Sequence, residues 1–326
     1  MAKVVISHRL HDDGMAVLEK AGADVVITNS GKPEDMLLEL LDADGLIIRI
    51  GSIDRETMLK CKNLKVIGRP GVGVDDVDVE AATELGIPVV IAPGANTRSV
   101  AEHAMAMMFA CAKDMVRCDK EMRKGNFAIR SEYKAYELNG KVLGLIGCGH
   151  IGNILAEMAT GIGMKVLVYD PFVKAEVVEA KGYGYRVEME DILKEADVVS
   201  IHTPLTPKTK NMIGEKELKL MKSTGILINC ARGGIINEEA LCKALSENWI
   251  HSAATDVVVH EPISVDDPLF MYENIIVTPH MAGQTKEAAS GVATMAAEGV
   301  MAVINGQKWD KVCNPKVYEH SKWKNK

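Results

Sequence analysis

Val142-Leu143-Gly144-Leu145-Ile146-Gly147-Cys148-Gly149-His150-Ile151-Gly152 decides the fold. It reads as a buried strand, a tight glycine turn and the start of a helix. The turn spells G-x-G-x-x-G. Gly147 permits the sharp turn, Gly149 lets the backbone approach a pyrophosphate, and Gly152 lets the helix pack closely on the strand. The helix N-terminus offers unpaired N–H groups and a partial positive charge, which suit an anion. Glycine clusters also mark plain turns, but this one is followed by a second apolar strand, Lys165–Tyr169, ending at Asp170. That is about 20 residues beyond the loop, where a carboxylate holds the adenosine ribose hydroxyls of a dinucleotide. No Arg follows Asp170, and its charge repels a 2′-phosphate, so the cofactor expected is NAD rather than NADP.

The 326 residues suffice for two domains with cores of their own. A hydrophobic share of 47% with 25% charged residues is that of a soluble globular protein. A net charge of −7 leaves no basic footprint, so nucleic acid is not an expected partner. No apolar run is read as a membrane span, and no signal peptide precedes the first strand at Lys3. The cysteines number seven, with no C-x-x-C and no His spacing of a zinc site, so no metal is expected. They read as reduced, buried thiols of a cytoplasmic protein. Cys148 and Cys230 fall beside candidate site residues.

Residues 1 to 97 alternate strand and helix. Strands are predicted at Lys3–Ser7, Asp24–Thr28, Gly45–Ile50, Leu64–Gly68 and Pro88–Ala92, with helices between them. This pattern predicts a parallel sheet covered on both faces, complete before the glycine turn begins. A long helix follows, from Asn96 or Thr97 as cap to about Lys124. Its Met105, Met107, Met108 and Met115 read as core or subunit interface. His103 on the same helix reads as a packed histidine rather than a catalyst. A second α/β unit runs from Lys141, with later strands at Asp197–His202, Gly225–Asn229, Ser252–Val257 and Asn274–Thr278. A final helix, about Thr285–Asn305, leads to a lysine-rich tail expected to return to the first unit.

Ligands of open α/β sheets sit outside the carboxyl ends of the strands. Three such ends carry suitable groups: Asn229-Cys230-Ala231-Arg232-Gly233-Gly234, Asp256-Val257-Val258-Val259-His260-Glu261-Pro262 and Thr278-Pro279-His280-Met281-Ala282-Gly283. A guanidinium presents a planar fork to a carboxylate or carbonyl oxygen. Histidine donates a proton near neutral pH, and a neighbouring carboxylate orients its ring. Spacing alone does not choose between His260 and His280.

The chain resembles the D-2-hydroxyacid dehydrogenase family, and within it the phosphoglycerate dehydrogenase-like branch. The likeness runs almost end to end. It rests on Gly68-Arg69-Pro70-Gly71-Val72-Gly73-Val74-Asp75, the glycine turn with Tyr169-Asp170-Pro171, His202-Thr203-Pro204-Leu205, the N-C-A-R-G-G segment, Glu261-Pro262 and Thr278-Pro279-His280. It implies a Rossmann NAD-binding domain, a flavodoxin-like substrate domain and a cleft between them. The domains expected are 1–97 plus 306–326, and 98–305. It implies that Arg232 binds the substrate carboxylate and polarises the carbonyl, that His280 is the acid/base, and that Glu261 is its partner. Formate dehydrogenases of the family have Gln there, so Glu261 argues against formate. The resemblance further implies that Arg49 and the Val72-Gly73 loop approach the substrate. Gly147, Gly149, His150, Ile151, Gly152, Asp170, Thr203, Cys230, Ala231, Asp256 and Gly283 would line the cofactor. Arg69 stands equally as an ion-pair partner or a functional group.

Two residues depart from the family pattern: His150 where Arg is frequent, and Asp76 where Asn is common. The chain also ends before the regulatory domain of longer phosphoglycerate dehydrogenases, so no amino-acid feedback site of that kind is expected. The expected activity is interconversion of a 2-keto acid and an (R)-2-hydroxy acid, such as 3-phosphoglycerate or glycerate/hydroxypyruvate, by a homodimer. The resemblance extends to NAD-sensing transcriptional co-repressors, which would bind NADH and barely consume it.

Overall fold

Short apolar runs alternating with helices fold into two parallel sheets in the computed structural model, which describes residues 1–132 and 134–324. They form two units, Met1–Asn96 with Gln284–Lys326, and Thr97–Gly283.

In the first unit β1 (Lys3–Ile6), β2 (Asp24–Ile27), β3 (Gly45–Ile47), β4 (Val66–Gly68) and β5 (Val89–Val90) lie in the order β2-β1-β3-β4-β5. This is the flavodoxin-type order, with its switch point between β1 and β3. Helices α1 (Asp12–Lys20), α2 (Pro33–Leu40), α3 (Arg55–Lys60) and α4 (Val79–Glu84) begin where the sequence supplies stops for the chain. Pro33 opens α2, Asp54 accepts from Thr57 N at 2.8 Å, and Asp78 accepts from Ala81 N at 2.8 Å. Met36, Leu40, Met58 and Ala81 pack on one sheet face. The tail adds an antiparallel bridge at β5, where Ile91 N donates to Lys311 O and Cys313 N to Val89 O. Its last two residues, Asn325 and Lys326, lie outside the described residues.

The other sheet face corrects the expected boundary. The last helix, numbered α12 below (Lys286–Ile304), belongs to the first unit and not to the nucleotide-binding one. The reason is a fit of small residues. A Cβ on Gly14 of α1 would stand 2.7 Å from the Ala293 Cβ, and one on Gly68 of β4 would stand 2.6 Å from a Val300 methyl. At 19 residues α12 also has the length and hydropathy of a membrane span, against the reading that no run reaches one. It carries Glu287 and Glu298, and Ala293, Ala297 and Val300 are buried in the first unit's core.

The second unit opens with α5 (Thr97–Ala112) and α6 (Met115–Arg123). These replace the single long helix expected, because Asp114 takes φ +52°, a left-handed conformation that ends α5. Met105, Met107 and Met108 are buried in the core, whereas Met115 is exposed. The sheet then forms from β6 (Val142–Ile146), β7 (Lys165–Tyr169), β8 (Gly184–Tyr185), β9 (Val198–Ile201), β10 (Ile226–Asn229), β11 (Ser252–Thr255) and β12 (Ile275–Val277). Their order is β12-β11-β10-β9-β6-β7-β8, so the direction of winding reverses between β6 and β9. Helices α7 (His150–Gly161), α8 (Ala175–Glu179), α9 (Met189–Glu195), α10 (Glu215–Leu218) and α11 (Glu238–Ser246) connect the strands. Core clusters cover both faces, one under α5 and α7 and one under α9 and α11.

Candidate active site

Gly147 follows β6 at φ +93°, and a Cβ there would stand 2.6 Å from the carbonyl oxygen of His202. Only glycine lets the ends of β6 and β9 approach so closely at the switch point. A Cβ on Gly152 would stand 2.6 Å from Gly147 O, whereas Gly149 faces open space. Gly149 is the N-cap of α7 and offers no side-chain cap, and His150 beside it is exposed. The first-turn N–H groups therefore have no capping side chain among the described residues. Asp170, buried at the end of β7, is held by two backbone donors: Cys148 N to Oδ2 at 2.8 Å and Phe172 N to Oδ1 at 2.9 Å. Each carboxylate oxygen keeps a lone pair for a diol.

Beside this turn the Thr203 hydroxyl and His202 Nδ1 are buried without a partner among the described residues. A buried, unsatisfied hydroxyl next to an open glycine turn is what a polar ligand would complete. His202 Nε2 meets Ser200 Oγ at 2.9 Å, and burial lowers the ring's pKa to about 4, which keeps it neutral. The donor set fits NAD: the glycine turn and α7 for the pyrophosphate, Asp170 for the ribose, Thr203 for a further polar contact.

The ends of β10, β11 and β12 carry the candidate catalytic groups. Asn229 closes a turn after β10, its Oδ1 accepting from Ala231 N at 3.0 Å and its Nδ2 donating to Arg232 O at 3.0 Å. Arg232 Nη1 donates to Ala231 O at 2.8 Å. A Cβ on Gly233 would stand 2.0 Å from Val258 O, so this turn and the segment after β11 are in backbone contact. Glu261 in that segment accepts from Val258 N at 3.2 Å through Oε1 and meets His280 Nδ1 at 2.7 Å through Oε2. The structure thus selects His280, not His260, as the histidine joined to Glu261. A carboxylate only accepts, which assigns the Nδ1 proton and leaves Nε2 to exchange one. Both side chains are partly exposed, at 49% and 40%, so protons reach them from solvent.

Asp256 anchors the turn that carries His280. Its backbone oxygen accepts from His280 N at 2.8 Å. Its carboxylate, 1% exposed, accepts from Met281 N at 2.9 Å, Ala282 N at 2.7 Å and Thr278 Oγ1 at 2.5 Å. These bonds hold His280 at φ +50°, a conformation costly for a residue with a Cβ. Gly283 follows directly. Cys230 and Cys148 are buried and burial pushes both thiols up, which makes them poor nucleophiles. Cys230 Sγ lies 3.6 Å from Met107 Sδ.

The candidate residues of the first unit lie in the loops that follow β3 and β4. Arg49 N donates to the fully buried Ser7 Oγ at 3.0 Å, and Arg49 Nη1 to Arg9 O at 3.2 Å. Val72 is exposed, in the loop before Gly73. Arg69 takes the structural side of its two readings. It donates to Gly73 O, Ile48 O and Arg49 O and pairs with Asp76 at 2.6 Å. Burial raises the Asp76 pKa although Arg69 opposes it, and Asp76 Oδ1 has no partner among the described residues. Nothing in the sequence singles out Ser7 or the Val258 N–H, and Asn229 is marked only as part of the N-C-A-R-G-G segment, not for the turn its side chain closes. Thr278 was signalled only by its place beside His280.

Residues 105–282 match the model of the D-isomer specific 2-hydroxyacid dehydrogenase family, NAD binding domain. The chain belongs to this family. It is 42% identical over 315 residues to a D-3-phosphoglycerate dehydrogenase of Methanocaldococcus jannaschii, covering 96% of this chain and 60% of that relative. It is 38% identical over 316 residues to a glyoxylate reductase of Thermococcus litoralis, covering 94% of each. A crystal structure of D-lactate dehydrogenase with NAD+ from Lactobacillus jensenii superimposes with a TM-score of 0.80 at 30% identity, covering 95% of this chain and 99% of that one. The chain therefore spans about three-fifths of the phosphoglycerate dehydrogenase it matches and nearly all of the glyoxylate reductase.

Proposed function

We propose that the protein is an NAD-dependent dehydrogenase interconverting a 2-keto acid and the corresponding (R)-2-hydroxy acid. The observation that carries this reading is the His280–Glu261 contact of 2.7 Å within a turn anchored by Asp256. Bound NAD supplies or accepts the hydride. Arg232 binds the substrate carboxylate and stabilises negative charge developing on the carbonyl oxygen. In the reducing direction His280 gives its Nε2 proton to that oxygen, and Glu261 orients the ring and stabilises its protonated form. Arg49 and the backbone N–H groups of Val72 and Gly73 serve the substrate's acid end. Gly147, Gly149, His150, Ile151 and Gly152 hold the pyrophosphate. Asp170 holds the ribose and excludes a 2′-phosphate, and Thr203, Cys230, Ala231, Asp256 and Gly283 line the rest of the cofactor site.

The substrates named for the relatives, 3-phosphoglycerate and glyoxylate, set the range. Arg69 gives most of its donors to protein carbonyls and Asp76. Arg69 is therefore not proposed to hold a second anionic group on the substrate. A homodimer is supported by α6, which buries none of its residues and exposes Met115, Val116 and Met122, with exposed Phe127 following. Seven free thiols support a reducing compartment, the cytoplasm.

NADH consumption with a panel of 2-keto acids tests the reading, with Arg232→Ala as control. The panel holds 3-phosphohydroxypyruvate, hydroxypyruvate, glyoxylate, pyruvate and phenylpyruvate. A preferred acid that the variant cannot reduce is expected. Tight NADH binding with no turnover on any acid would overturn it and favour a sensor.

A further inference from the structure

Helix α5 packs against β10, β11 and β12, and His103 on it reaches the ends of the last two strands. His103 Nε2 lies 3.1 Å from Thr278 Oγ1 and 3.6 Å from Asp256 Oδ1, and its side chain is 20% exposed. Thr278 has one hydroxyl proton and gives it to Asp256 Oδ1 at 2.5 Å. It can therefore only accept from the imidazole. The three groups form one directed chain, from His103 Nε2–H to the Thr278 hydroxyl to the Asp256 carboxylate. The same carboxylate receives Met281 N and Ala282 N, and the Asp256 carbonyl receives His280 N.

We infer that His103 is a positioning residue: through the hydroxyl of Thr278 it fixes the carboxylate of Asp256, and with it the turn that presents His280. His280 sits in a left-handed conformation that persists only where its surroundings over-determine it. Without a donor at His103, the Thr278 hydroxyl keeps its bond to Asp256 but loses the donor on its other side, so the bond that fixes the carboxylate beside the two backbone amides is less constrained. A chain of hydrogen bonds in a buried site is stiffer than its separate members. The kinetic part of the inference rests on the dehydrogenase reading; the protonation pattern of the ring does not.

Nitrogen-15 spectra of the imidazoles in the cofactor-free protein measure that pattern directly. His103 is expected to carry a proton on Nε2 at neutral pH, and a bare Nε2 overturns the inference. In steady-state reduction of the preferred keto acid, His103→Leu is expected to lower kcat roughly tenfold, the scale of one lost hydrogen bond. KM for the keto acid stays within about twofold, and His103→Gln, which keeps an N–H donor, restores most of kcat. A wild-type kcat in His103→Leu overturns the inference, as does a loss of kcat that His103→Gln does not repair. If His103→Leu fails to fold, His103→Gln and the imidazole spectra still decide. If no keto acid is reduced, the dehydrogenase reading fails while the spectra test His103 on their own.

Discussion

His280 is held from two unrelated sides, a carboxylate at its ring and a carbonyl at its backbone. Glu261 Oε2 lies 2.7 Å from Nδ1, and Asp256 O accepts from the backbone N–H at 2.8 Å. Replacing the ring alone leaves the turn intact. His280→Asn is therefore expected to lose about 10²–10⁴-fold in turnover, the range for a proton donor, while NADH titration gives a near wild-type Kd. Full turnover in that variant would remove His280 from the mechanism. His202 makes a different prediction. Its ring is buried and neutral, with a pKa lowered from 6.5 to about 4. The unfolded chain binds a proton below pH 6.5 that the folded chain refuses until about pH 4. The stabilisation is thus complete above 6.5 and declines as pH falls through that window, by about 3 kcal/mol in all. Urea unfolding at pH 7 and pH 4.5 is expected to show a steeper loss for wild type than for His202→Gln. Equal slopes would mean that the ring is not the acid-sensitive group.

At the scale of elements, the turn after β10 separates two kinds of glycine. A Cβ on Gly233 would stand 2.0 Å from Val258 O and 2.3 Å from Val258 C, both backbone atoms. Gly234 sits at φ +78°, with only side-chain carbons at 3.9 Å. Gly233→Ala must push the Arg232 turn away from the segment bearing Glu261. It is expected to raise KM for the keto acid at least about tenfold, the scale of one lost charge-assisted contact. Gly234→Ala costs backbone strain alone, about 1–2 kcal/mol in thermal stability, and leaves KM little changed. Matching KM values for the two variants would contradict the steric account. The same scale shows where the sequence was legible. Strands β6 and β7 are buried apolar runs flanked by glycine and an acidic residue, and Lys165–Tyr169 appears at its expected bounds. Helix α12 lies in the first unit and not in the expected range 98–305, because an apolar face says that a helix is covered without saying by what. The contact of Gly14 with Ala293 that decides it joins residues far apart in the chain. The break at Asp114 was hidden for another reason: the Met-rich pattern continues through it, and Asp tolerates φ > 0 without a glycine to mark the place. In the site, residue types at strand ends were readable, but pairing was not. His260 is nearer Glu261 in sequence, but folding is what brings His280 Nδ1 to 2.7 Å from the Glu261 carboxylate.

At the scale of the whole molecule, the chain passes into the second unit once, at Thr97, and leaves it once, at Gly283. Between those points lie the complete seven-stranded sheet, a core cluster on each of its faces and every residue proposed to hold NAD. The first unit, in contrast, is closed by a C-terminal segment, with α12 and the bridge at β5 supplied by residues beyond 283. A chain of residues 97–283 alone is therefore expected to fold and to bind NADH with a Kd within about tenfold of the full protein, or about 1.4 kcal/mol. Arg49, Val72 and Gly73 are absent from it, so reduction of keto acids is expected to disappear. Fluorescence titration and turnover on the same preparation separate the two outcomes. A folded 97–283 chain that fails to bind NADH would show that the first unit supplies an essential cofactor contact. Retained turnover would show that Arg49 and the Val72-Gly73 loop are not needed for the substrate, and that Arg232 alone secures its carboxylate.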